Sequence, residues 1–100
     1  MTNSAPMNFA SVRLIRSDEA ISQDVGGEVI LLNPKTEDFI ALNEVGAYVW
    51  HLLGENQHFA DLASGLVGEY KIDQTLAIGD LEEFLPQLVA LGLLTCDAGK

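Results

Sequence analysis

The spacing of apolar residues changes once along this chain, at Asn43, and that single change does most to limit the fold. Before Asn43 the apolar residues come in short dense or alternating runs of strand length, and after it they recur at three- and four-residue steps. Strands that all precede helices cannot build a doubly wound parallel sheet, which needs the two to alternate. The expected class is therefore α+β, a three-stranded antiparallel sheet followed by three helices.

The strand half reads as a meander. Glu19 to Val25 is a first strand, and Gly26-Gly27 supplies the freedom at positive φ that a tight hairpin uses. Glu28-Val29-Ile30-Leu31-Leu32 follows, and its four consecutive apolar residues predict burial on both faces. Asn33-Pro34-Lys35-Thr36 is a turn, with proline presetting φ, and Asp38-Phe39-Ile40-Ala41-Leu42 is the third strand. Val12 to Arg16 forms at most a short extended piece.

The helix half begins with a cap. The side-chain oxygen of Asn43 can accept from the free amides of a helix whose first residue, Glu44, suits the positive end of the dipole. Val45, Tyr48, Val49, Leu52 and Leu53 form its apolar stripe, Gly54 ends it, and Trp50, just outside the stripe, is expected at the edge of the core. A second helix, about Phe59 to Tyr70, contains Gly65 and Gly68, which weaken its propensity, so packing must hold it. Asp73 caps a third, from about Gln74 to Leu91, and Gly92 stops it in the left-handed region. Pro86 inside this helix removes one donor and predicts a kink near Glu82. Leu93-Leu94 returns an apolar pair to the core. The expected organisation is a tail over 1–11, one domain over 12–95, and a short tail over 96–100.

Charge narrows the function. Fifteen acidic residues against five basic ones give a net charge of −10. Such a surface repels the phosphates that nucleic-acid binders must neutralise, and it disfavours anionic membranes. A single cysteine, Cys96, fits a reducing compartment. No apolar run is long enough to span a bilayer, and Met1 to Pro6 lacks the features of a signal peptide, so a cytoplasmic protein is expected.

Most of the recognisable residue sets that carry out catalysis are missing. His51 and His58 stand seven apart across a helix end with no partner at metal-ligand spacing, so no metal and no cofactor are expected. Ser11, Ser17, Ser22 and Ser64 have no glycine elbow, and Cys96 has no nearby base. Asp18-Glu19 and Glu82-Glu83 are adjacent pairs that point apart on a helix, better suited to solvated charge than to shared chemistry. The chain is expected not to be an enzyme. What remains is an edge: the strand Asp38 to Leu42 has one acidic residue and neither lysine nor proline to block pairing. Either the first strand or a terminus covers it, or an extended peptide can add to it through main-chain hydrogen bonds.

The run from Gly27 to Pro34, the run Phe39-Ile40-Ala41-Leu42-Asn43-Glu44-Val45-Gly46-Ala47-Tyr48-Val49-Trp50-His51-Leu52-Leu53, and the pieces Ala63 to Tyr70, Asp80 to Leu85 and Leu88 to Leu94 together resemble the PqqD-like family, also called RiPP recognition elements. The resemblance spans about residues 12–95, and its specificity lies in order and spacing, because each motif is loose. It implies a winged-helix-like fold without catalytic residues that binds the leader of a ribosomally made precursor peptide. In that family the leader adds to the third strand, here the backbone of Asp38, Phe39, Ile40, Ala41 and Leu42. It lies against the third helix, where Leu76, Asp80, Glu83, Phe84 and Gln87 flank the core arc. Pro86 departs from the family's pattern. The stretch from Phe39 to Trp50 looks most like the stand-alone recognition proteins of lasso-peptide clusters, which implies a leader peptidase or another modifying enzyme as partner. A PqqD-type chaperone for a radical-SAM enzyme is the near alternative. A winged-helix DNA-binding regulator is the alternative from another class, and the net charge opposes it.

Overall fold

A computed structural model of the protein describes residues 12–26, 28–55 and 58–97. The elements run β1 (Arg13–Arg16), β2 (Ile21–Val25), β3 (Glu28–Asn33), β4 (Asp38–Leu42), α1 (Glu44–Leu53), α2 (Phe59–Tyr70), α3 (Gln74–Ala90) and β5 (Leu94–Asp97). The architecture is the expected α+β one: β2, β3 and β4 form an antiparallel meander in that order, and three helices follow. A second, two-stranded sheet pairs β1 with β5, with Leu14 opposite Cys96 and Ile15 opposite Thr95. Cys96 and Asp97, assigned above to a C-terminal tail, are therefore part of the domain. The expected tail over 1–11 lies outside the described residues, as does Gly27 of the hairpin.

Only one face of the larger sheet is buried. Val29 and Leu31 of β3 and Leu42 of β4 pack into the core, while Ile30 and Leu32 are half-buried on the opposite face. This corrects the expectation of burial on both faces. On the outer face Leu32 lies between Ile21 and Phe39, which are themselves exposed, so the neighbouring strands shield β3 only in part. Strand alternation puts Phe39 and Ala41 on this outer face and Ile40 and Leu42 toward the core.

The caps form as the sequence predicts. Asn43 Oδ1 accepts from the Gly46 amide at 2.9 Å, and Asp73 Oδ1 accepts from the Leu76 amide at 2.9 Å. The end of α3 is a Schellman turn: Gly92 takes φ +75°, its amide donates to the Val89 carbonyl, and the Leu93 amide donates to the Leu88 carbonyl. That turn is tied to the sheet. Asn33 Nδ2 donates to the Leu91 carbonyl at 2.8 Å, and Asn33 Oδ1 accepts from the Lys35 amide, so one side chain fixes both the β3–β4 turn and the end of α3. The helix runs unbroken from Gln74 through Pro86 to Ala90.

Leu62 and Leu66 of α2 and Leu81, Leu85 and Leu88 of α3 are completely or almost completely buried, beside Leu14 of β1 and Leu93. Trp50 lies deeper than a core-edge position, only 3% exposed. The Arg16 guanidinium sits 4.7 Å from the centre of its ring and donates to its carbonyl at 3.2 Å, which pins β1 to the last turn of α1.

Candidate functional site: an open strand edge beside a helix wall

β4 is an outermost strand. Its inner edge pairs with β3, and among the described residues no strand pairs with its outer edge. In an antiparallel ladder successive residues turn their amide and carbonyl to opposite sides, so alternate residues of Asp38–Leu42 present these groups to that open edge. β2 is the other outermost strand, and every residue in it is exposed. The two edges differ in what lies beside them.

Beside β4 runs a groove of about 380 Å³. Ile40, Ala41 and Leu42 form one wall and Asp80, Leu81, Glu83, Phe84 and Gln87 of α3 form the other, while Asn43, Val45, Gly46 and Val49 at the start of α1, with Leu66 of α2, make the floor. Gly46 explains how the floor fits. A Cβ there would stand 3.3 Å from Leu42 Cβ and 3.5 Å from a ring carbon of Phe84, so a larger residue would push into the space between strand and helix. The Asn43 cap sets where α1 leaves β4, and thereby the width of the groove.

Seven of the ten residues singled out from the sequence line this one groove: Ile40, Ala41, Leu42, Asp80, Glu83, Phe84 and Gln87. Asp38 and Phe39 belong to the same strand but not to the groove lining, and the Phe39 ring, 67% exposed, is on the outer face. Leu76 is one turn before Asp80 on α3, exposed and outside the lining. The sequence reading missed the floor. The one available signal was Gly46, since a glycine inside a helical pattern often marks close approach of another element.

Little in the site suggests bond-making chemistry. The groove is apolar at its base, and its polar groups are the carboxylates of Asp80 and Glu83 and the amides of Asn43 and Gln87. Among the described residues no three His, Cys, Asp or Glu side chains come together as a metal site. Burial pushes the Cys96 thiol above its ordinary pKa range, which favours the less nucleophilic thiol form. The Tyr70 hydroxyl is also raised, by burial first and then by Glu44, Glu69 and Tyr48. Its ring packs edge-on against Tyr48, whose hydroxyl donates to the Gly65 carbonyl. No helix within the described residues is long and apolar enough to cross a membrane.

The family model for coenzyme PQQ synthesis protein D (PqqD) matches residues 28–94, from the first residue of β3 to the first of β5. The chain belongs to the PqqD family. No curated protein matches it. Among solved structures, TbiB1 in complex with the TbiA(beta) leader peptide is similar with a TM-score of 0.74 and 31% identity, over 80% of this chain and 93% of that one. The structure of lasso peptide synthetase B1 complexed with the leader peptide is similar with a TM-score of 0.73 and 22% identity, over 83% of this chain and 98% of that one. At that identity the second likeness speaks for the fold alone.

Proposed function

We propose that this PqqD-family chain is a non-catalytic recognition element. It captures the leader of a ribosomally made precursor peptide as an added strand on β4 and delivers it to a leader peptidase or another modifying enzyme. The observation that carries this reading is the coincidence of two features at one place: the outer edge of β4, unpaired among the described residues, and a groove with apolar side chains at its base directly beside it. An edge alone gives affinity without selectivity, and a groove alone gives no register. Together they supply main-chain hydrogen bonds and side-chain pockets for alternate residues of an extended guest. The likeness to TbiB1, a leader-peptide complex at 31% identity, supports the same reading, and the resemblance of the stretch from Phe39 to Trp50 to stand-alone recognition proteins favours a lasso-peptide pathway.

In this reading Asp38 to Leu42 contribute backbone, and Asp80, Glu83, Phe84 and Gln87 contribute the helix wall. Val45, Gly46 and Val49 close the floor, and Leu76 extends the wall by one turn. A separate enzyme performs the chemistry, and the groove offers the guest shape, hydrogen bonds and the charge of two exposed carboxylates, Asp80 and Glu83.

Calorimetric titration with the synthetic leader of the precursor encoded beside this gene tests the proposal. Saturable binding at micromolar concentration is expected, and an absence of binding at high micromolar concentration contradicts it. Phe84→Ala sharpens the test. The ring is half-buried, so its removal should cost about 2 kcal/mol of stability, below the roughly 3–5 kcal/mol of a fully buried phenylalanine. Leader affinity should fall about tenfold at temperatures where the variant stays folded. Unchanged affinity in a folded variant would remove Phe84 from the site.

A further inference from the structure

We infer that the guest of this groove carries a lysine or arginine on its groove-facing side, opposite Asp80 and Glu83. The inference rests on the leader-binding reading and adds the class of peptide that the site selects. Asp80 and Glu83 lie three residues apart on α3 and both line the groove. That separation is about 4.5 Å along the helix axis, close enough for one cationic side chain to reach both carboxylates. Neither makes an ion pair within the described residues, where Lys35 with Glu19 is such a pair at the remote β3–β4 turn.

Among the described residues no lysine or arginine lines the groove. α1, α2 and α3 contain no lysine or arginine, against six acidic residues: Glu44, Asp61, Glu69, Asp80, Glu82 and Glu83. β4 adds Asp38 and no base. Arg16 is held on the Trp50 ring. The start of α1 faces the groove with the positive end of its dipole, yet Asn43 occupies the Gly46 amide and Glu44 stands in the first turn, so this half-charge does not outweigh two full carboxylates. A guest with an acidic side chain at this position would meet repulsion in a partly desolvated cleft, and a basic one would meet two unpaired acceptors. The recognised segment is thus extended, with apolar side chains two residues apart for the floor and a cation in the same groove-facing series.

The test is an mRNA-display selection of random twelve-residue peptides on the full chain, in low salt and again in about 0.5 M salt. Peptides enriched in Lys or Arg at one position among alternating apolar residues are expected, with enrichment weaker at high salt. Asp80→Asn and Glu83→Gln should each weaken the selected peptides about two- to fivefold, as expected for rim carboxylates. Glu82→Gln, outside the groove lining, should change them little. Glu83→Lys should turn the preference at that position toward Asp or Glu. Enriched peptides that depend on the β4 edge but show no basic preference would overturn the inference and leave the leader-binding reading standing. Failure to enrich any peptide would overturn both.

Discussion

Proline substitution along β4 is expected to separate into two opposite outcomes. Phe39 and Ala41 turn their amides to one side of the strand, and Ile40 turns its amide to the other. One set serves the ladder to β3, and the other faces the open edge. Proline in the edge-facing set removes a donor that only the guest uses and crowds the incoming strand. We expect a folded protein whose leader affinity falls by about 3 kcal/mol, roughly a hundredfold. Proline in the other set removes a bond to β3 and should destabilise the fold by about 3 kcal/mol. Thermal unfolding and leader titration on all three variants distinguish the cases. If none of the three separates affinity from stability, the guest does not bind by strand addition at β4.

The second large effect is expected at Gly92. Its φ of +75° is strained for any residue with a Cβ, and a Cβ built there stands 2.7 Å from Asn33 Nδ2. Gly92→Val therefore combines left-handed strain, about 1–2 kcal/mol and more for a β-branched side chain, with loss of the bond from Asn33 to the Leu91 carbonyl, about 1 kcal/mol. We expect a loss of about 3 kcal/mol in stability by denaturant unfolding. Asn33→Ala should show a smaller loss without the left-handed strain, that of the bonds to the Leu91 carbonyl and from the Lys35 amide. Because Asn33 ties the β3–β4 turn to the end of α3, both variants should also loosen the two walls of the groove and weaken leader binding. A Gly92→Val protein as stable as the parent would mean that the Schellman turn does not hold α3 against the sheet.

Much of this fold was legible in the sequence because it is written in local chemistry. The Asn43 and Asp73 caps, the Gly92 stop and the change of apolar period are short-range signals, and each appears where expected. The β1–β5 sheet was not legible. Two four-residue strands about eighty residues apart are too short for periodicity, and only tertiary contact pairs them. The run Val29–Leu32 misled for a related reason: apolar composition shows that a strand can be buried on both faces, not that another layer exists to cover it. In the candidate site, the family resemblance pointed to the third helix, and helical spacing on it picked out Asp80, Glu83, Phe84 and Gln87, which line the groove. Spacing could not place Leu76 beyond the groove or reveal Val45, Gly46 and Val49 as its floor, because these depend on the angle between α1 and α3. Phe39 shows the same limit on the strand, since the burial of Leu42 fixes which alternate residues face inward.

Amide hydrogen exchange with and without leader peptide tests the central claim most directly, because the sheet has two outer strands and only β4 borders the groove walled by α3, whereas β2 touches a separate pocket at Ser22 beside Arg16, Ser17 and Asp18. The account predicts that binding slows exchange at the edge-facing amides of Asp38–Leu42 and leaves Ile21–Val25 unchanged. Slowed exchange along Ile21–Val25, or unchanged exchange along Asp38–Leu42 while leader is bound, would contradict it.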